Sequence, residues 1–253
     1  MSELILPMWG IAAIFLGVAI TYASVGLGGG SSYAALMVVL GFSSLSIPNL
    51  SLLLNLIVTS VSCFNFIRRG HLRLELITPF ILLSLPMAWL GGALQVPEQV
   101  FKLLMSASLL LVVIRIYVWK NTSLRYRFTR RQVVMIALLL GAVLGFLAGI
   151  IGIGGGIFLV PMILLLGLGT MQQAAACGVV FVWLNSLIGL ISRSQYNFVD
   201  FSAYLPLVIA VLLGGTIGSL IGSSNIDPRR LERVLGIIMV VAVFLLLRSL
   251  LLG

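Results

Sequence analysis

The chain has 253 residues, of which 61% are hydrophobic and only 8% charged, with a formal net charge of +9 and a mean hydropathy of +1.24. Soluble domains carry roughly 25% charged residues, and so few charges cannot cover a water-facing surface of this size. An ordinary soluble protein is excluded, and the bilayer becomes the solvent for most of the chain.

In chain order, the pattern predicts apolar segments at 8–25, 31–41, 48–67, 74–95 and 99–119, then at 132–151, 157–168, 171–192, 201–222 and 231–252. No Asp, Glu, Lys or Arg occurs from Leu4 to Ile67 or from Gln132 to Ser192, runs of 64 and 61 residues. The fold class expected is an all-α polytopic membrane protein of about ten hydrophobic segments. Segments 31–41 and 157–168 are too short to cross, since they rise about 17 Å against a hydrocarbon core of about 30 Å. Exposed to lipid they would leave backbone groups unsatisfied, so they are expected to be half-helices or broken helices buried among neighbours.

The segments form two sets. Val25-Gly26-Leu27-Gly28-Gly29-Gly30 recurs as Ile151-Gly152-Ile153-Gly154-Gly155-Gly156 at an offset of 126, and Asn55 matches Asn185 at an offset of 130. The stretch from Val96 to Leu104 resembles that from Asp227 to Leu235 in the same way. Two five-segment repeats are therefore expected at 1–122 and 132–253, joined by a basic cytoplasmic linker at 123–131. If every segment crosses from an outside N-terminus, 12 of the 15 basic residues face the cytoplasm. If the short segments dip in and return from an inside N-terminus, the count is 11. The first arrangement is preferred, and it makes the repeats inverted about an axis in the membrane plane. No cleavable signal peptide is expected, because no Lys or Arg precedes Arg68.

Short, Gly-interrupted segments at matching places in two repeats point to a transporter's binding site. Gly28, Gly29, Gly30 and Gly154, Gly155, Gly156 can open the backbone and expose amide N–H groups at the starts of the following helices. Such ends carry partial positive charge and hold anions without a side-chain cation. The alternative is that these glycines only permit close helix packing. Ser31 and Ser32 add hydroxyl donors in the first copy, where Ile157 and Phe158 stand in the second.

Asn55, Thr59 and Ser62 share one helical face, and Asn185, Gly189 and Ser192 take the equivalent places. The Asn side chains either bond neighbouring helices or line a polar cavity. Cys177 is a contact for a sulfur-containing substrate or a small core residue. Cys63 and Cys177, both in apolar segments, suggest no disulfide framework. His71, among Arg68, Arg69 and Arg73, reads as a loop residue. Arg193 lies at a span end, where it either snorkels to the interface or attracts anions to a pore mouth. All six acidic residues map to segment ends or loops, leaving no mid-span carboxylate for a proton relay. No catalytic residue, metal site or cofactor is expected, and an enzyme is disfavoured.

The duplicated Gly-x-Gly-Gly-Gly at 26–30 and 152–156, the Pro161-containing helix after the second copy, the Asn-bearing third segments and the Arg68-Arg69-Gly70-His71 loop together resemble the sulfite exporter TauE/SafE family of membrane permeases. The resemblance departs at Val179-Val180, where the family often has Thr-Ser, and at Ala35, where it commonly has Pro. It implies transport of a small sulfur-containing anion such as sulfite, sulfoacetate or another organosulfonate across the cell membrane. The expected mechanism is alternating access by rocking of one repeat against the other, with the anion between the half-helix N-termini. An interior-negative potential drives export by about 2.3 kcal/mol per charge per 100 mV. The expected partners are that anion and the lipid bilayer, with no nucleic acid; association into a homo-oligomer is left open. A passive anion channel and a non-transporting membrane scaffold are the alternatives.

Overall fold

The computed structural model describes residues 7–25, 27–117, 129–196, 201–222, 240–241 and 243–248. All elements among them are helical. They are α1 (Met8–Val25), α2 (Gly30–Val39), α3 (Ser46–Arg68), α4 (Leu74–Ala93), α5 (Glu98–Tyr117), α6 (Arg130–Ile151), α7 (Gly156–Leu165), α8 (Met171–Ser194), a 3₁₀ turn (Phe201–Tyr204) and α9 (Leu205–Gly222). Five helical stretches are long and apolar enough to cross a membrane: α3, α4, α6, α8 and Phe201–Ile221. The segment expected at 231–252 and the linker expected at 123–131 lie largely outside the described residues.

The helix ends follow local chemistry. Thr129 and Thr170 begin α6 and α8 with capping boxes, each hydroxyl accepting from the Gln three residues on while that Gln side chain accepts the cap amide. Apolar side chains such as Leu82, Leu111, Leu139 and Leu213 point outward, as a lipid-facing surface requires. At the start of α5, Glu98 Oε1 accepts from Ser44 Oγ (3.1 Å) and pairs with Lys102 Nζ (3.0 Å). The Lys102 hydrogen bond foremost, then that of Ser44, holds the Glu98 carboxyl below its ordinary range.

Close backbone contacts fix the helix directions. Gly141, Gly145 and Gly149 of α6 lie against the carbonyl oxygens of Phe80, Ser84 and Ala88 of α4, so these two helices run parallel. Gly214 and Gly218 of α9 lie in the same way against Leu16 and Ile20 of α1. Small residues four apart let helix backbones approach, the usual device where lipid supplies no hydrophobic drive to association. At the centre α3 and α8 run antiparallel, with Trp183 Nε1 donating to Ser60 Oγ (2.9 Å) at one level and Gly189 beside Leu52 at another. Val58 beside Gly215, and Asn65 Nδ2 donating to Ser219 Oγ (2.7 Å), set α9 parallel to α3.

These directions settle what the short helices do. With ten residues each, α2 and α7 rise about 15 Å. α1 starts from the end of the bundle where α3 starts, and α2 returns there. α6 starts from the end where α4 and α8 start, and α7 returns there, with Gly169 just after it touching Leu76 and Gln173. Each is a half-helix that reverses the helix before it, so the helices alternate in direction from α1 to α4 and from α6 to α9, the order of directions that the preferred arrangement has.

Candidate functional site

Both reversals are made by glycine. Gly28 and Gly29 have φ of 80° and 99°, and Gly154 and Gly155 have φ of 78° and 76°, a left-handed backbone that L side chains rarely adopt. Gly29 and Gly155 are the N-caps of α2 and α7. The two turns meet each other. A Cβ on Gly30 would lie 2.6 Å from Ile153 O, and one on Gly156 would lie 3.3 Å from Leu27 O. Each contact becomes the other when the two copies of the motif are exchanged.

Between the turns stand side chains from the middle of α3 and α8. Asn55 Nδ2 donates to Gly152 O (3.4 Å), while Ser51 Oγ, one helical turn earlier, donates to Gly152 O (2.8 Å) and approaches Gly30 O (3.2 Å). Thr59 gives its hydroxyl to Asn55 O (2.6 Å) and turns its methyl group toward Gly28. Val182 of α8 packs on Gly28, Gly154 and Gly156. The structure thus brings Gly28, Gly30, Asn55, Thr59, Gly154 and Gly156 into one cluster. Gly29 faces the Tyr33 ring and Gly155 faces Phe181.

The remaining expected site residues sit differently. Ser32 is bonded to Tyr22 Oη (2.8 Å), so its hydroxyl is committed, whereas Ser31 is buried in the first turn of α2. Asn185 Nδ2 donates to Phe181 O of its own helix (2.8 Å). Cys177 is buried, and its thiol meets the Arg73 carbonyl oxygen at 3.8 Å, beside the loop between α3 and α4.

The electrostatics of the cluster come from the backbone. Intrahelical bonding begins with Tyr33 N–H on Gly29 O (2.9 Å) in α2, and with Phe158 and Leu159 N–H on Gly155 O (3.2 Å each) in α7. The amides of Gly30, Ser31, Ser32, Gly156 and Ile157 are buried and find no acceptor among the described residues. Buried amides are almost always paired, so five orphans in facing first turns form a donor-rich locus with no ionised side chain. Four buried side-chain atoms also lack partners among the described residues: Tyr33 Oη, Asn55 Oδ1, Asn185 Oδ1 and Ser186 Oγ. The described residues contain no group of three or more His, Cys, Asp or Glu able to hold a metal ion.

Sequence reasoning missed Ser51, Val182 and Tyr33. Ser51 was within reach, because it precedes Asn55 by one turn on the same face. Val182 and Tyr33 carry no polar signature that marks them.

Membrane-length apolar helices enclosing two reversed half-helices are those of a multi-pass membrane protein. A family model described as sulfite exporter TauE/SafE matches residues 11–246, and the chain belongs to that family. It is similar to the "Probable membrane transporter protein y4hK" of Sinorhizobium fredii, 35% identical over 237 residues that cover 92% of this chain and 95% of that protein. A "Probable membrane transporter protein" of Xylella fastidiosa is 24% identical over 88% of this chain and 89% of its own length. Another, from Methanocaldococcus jannaschii, is 26% identical over 96% of each. No solved structure matches the chain.

Proposed function

We propose that this transporter exports a small sulfur-containing monoanion, such as hydrogen sulfite or an organosulfonate, bound between the N-termini of α2 and α7. The observation that carries the reading is the set of buried amides of Gly30, Ser31, Ser32, Gly156 and Ile157, in first turns that meet, which find no acceptor among the described residues. Each helix N-terminus contributes about half an elementary charge, so two together offset roughly one negative charge. Gly28, Gly29, Gly154 and Gly155 shape the turns, while the Asn55 amide and the Thr59 face line the site from α3. Asn185 and Cys177 are assigned the matching flank on α8.

Asn55 and Val182 fill the space between the turns, so binding requires α2 and α7 to draw apart from the α3–α8 pair. Two inverted five-segment repeats, 1–122 and 132–253, account for the packing: exchanging the halves turns the α4–α6 contact into the α9–α1 contact and leaves α3–α8 in place. With the N-terminus outside, the basic loops, including Arg68, Arg69, Arg73, Arg130 and Arg131, face the cytoplasm. The membrane potential then drives the anion outward.

Flux of sulfite and ethanesulfonate from proteoliposomes under an imposed potential tests the proposal. Saturable efflux that rises with interior-negative potential is expected. Absence of flux for both anions sinks it, and unitary current steps would replace a carrier with a channel.

A further inference from the structure

Arg193 is the one charged side chain that is buried among the described residues, at 7% exposure in the last turn of α8. It does not snorkel. Its Nε donates to Asn49 Oδ1 (3.0 Å), and its Nη1 donates to Gly149 O (3.2 Å) and Ile150 O (3.1 Å) at the end of α6. Three of the five guanidinium donors are thereby fixed, and those on Nη2 have no protein acceptor among the described residues. No carboxylate lies within ion-pair distance of it among those residues either. The α6 C-terminus supplies about half a negative charge, so the described residues compensate the guanidinium only in part. A buried charge ordinarily has a counter-charge, and this one has none among the described residues.

We propose that Arg193 is a second anion-binding station, where Nη2 takes an oxygen of the transported oxyanion between the glycine turns and the end of the bundle at which α3 starts. A clamped guanidinium suits this task, because its remaining N–H groups present a fixed edge to sulfonate or sulfite oxygens. The placement agrees. Asn49, which orients Nε, lies six residues before Asn55 on α3, about 9 Å along the helix. Gly149 and Ile150 lead directly into the Gly152 turn that Ser51 and Asn55 hold. An anion released from the half-helix N-termini therefore meets this positive charge next. The ligand class rests on the transport reading above, whereas the site rests on the geometry of Arg193.

Equilibrium binding of radiolabelled ethanesulfonate to the purified chain in detergent separates the two. Two ions per chain, falling to one in Arg193→Gln, is the expected result. One ion in the parent chain that persists in the variant overturns the Arg193 station and leaves the glycine turns standing. One ion that is lost in the variant keeps the station and removes the turns, and no binding in the parent overturns both. Should Arg193→Gln not fold, Arg193→Lys decides by flux. A KM raised about tenfold at a retained maximal rate supports the station, since a charge-assisted hydrogen bond corresponds to at least that factor. An unchanged KM overturns it, because a purely structural clamp alters the amount of folded protein and not the anion's affinity.

Discussion

Ser51 Oγ lies 2.8 Å from the carbonyl oxygen of Gly152, a residue 101 positions further along the chain. The same hydroxyl reaches Gly30 O at 3.2 Å, so one side chain of α3 ties both glycine turns to the centre of the bundle. Ser51→Ala leaves the Gly152 carbonyl with only the long Asn55 contact. Losing a buried partner of this kind costs about 1–3 kcal/mol. The midpoint of thermal unfolding in detergent should fall accordingly, and an unchanged midpoint would show that the bond does not hold the turns.

Asn55 and Asn185 occupy matching places in the repeat but differ in what they touch. The Asn55 amide bridges to the opposite turn, while the Asn185 amide bonds its own helix. Asn55→Ala is expected to reduce sulfite or sulfonate flux at least about tenfold, equivalent to about 1.4 kcal/mol. Asn185→Ala is expected to have a smaller effect. Asn55→Asp should abolish flux, because a carboxylate would stand between the two N-termini proposed to hold the anion. Equal losses in the two alanine variants would contradict the assignment.

The glycines of the turns can be separated from glycines that only need a positive φ. A Cβ on Gly154 would meet Asn55 Nδ2 and Val182 Cγ1 at 2.9 Å, whereas one on Gly70, at φ 71°, has nothing within 4 Å. Gly70→Ala should cost about 1–2 kcal/mol of backbone strain and leave flux per folded molecule unchanged. Gly154→Ala adds a collision inside the site, so its flux per folded molecule should fall as well. Paired measurements of unfolding midpoint and flux distinguish the two effects.

The helix seams make a further contrast. A Cβ on Gly145 would run into the Ser84 carbonyl, while one on Gly17 meets nothing within 4 Å. Gly145→Ala should destabilise by about 1–3 kcal/mol through overpacking. Gly17→Ala should be neutral or stabilising by up to about 1 kcal/mol, the helix-propensity difference. A tolerated Gly145→Ala would mean that α4 and α6 are not as closely apposed as described.

Much of this architecture is legible in the residues. The two Gly-x-Gly-Gly-Gly turns and the short segments after them are local features, and both half-helices start at the last glycine of the motif, as Gly30 and Gly156. Their direction is not local. The end toward which α2 runs is fixed by Leu16 meeting Gly214 across nearly 200 residues, which periodicity does not encode. Arg193 shows the same limit. A lone arginine at a span end reads as a snorkelling group, but its head is drawn inward by carbonyls on α6, 43 and 44 positions earlier. Nor does position show that the Cys177 thiol, within an apolar run, meets the Arg73 carbonyl in a loop 104 residues away.

The seams between α1 and α9 and between α4 and α6 also bear on how the chain is made. Each joins helices from opposite halves, so neither half carries the mate of its own first or fourth helix. As synthesis proceeds, the Leu16 and Ile20 face of α1 must rest against lipid or a chaperone until Gly214 and Gly218 are inserted, nearly 200 residues later. Until then the first helix lacks the neighbour that its small-residue seam is shaped for.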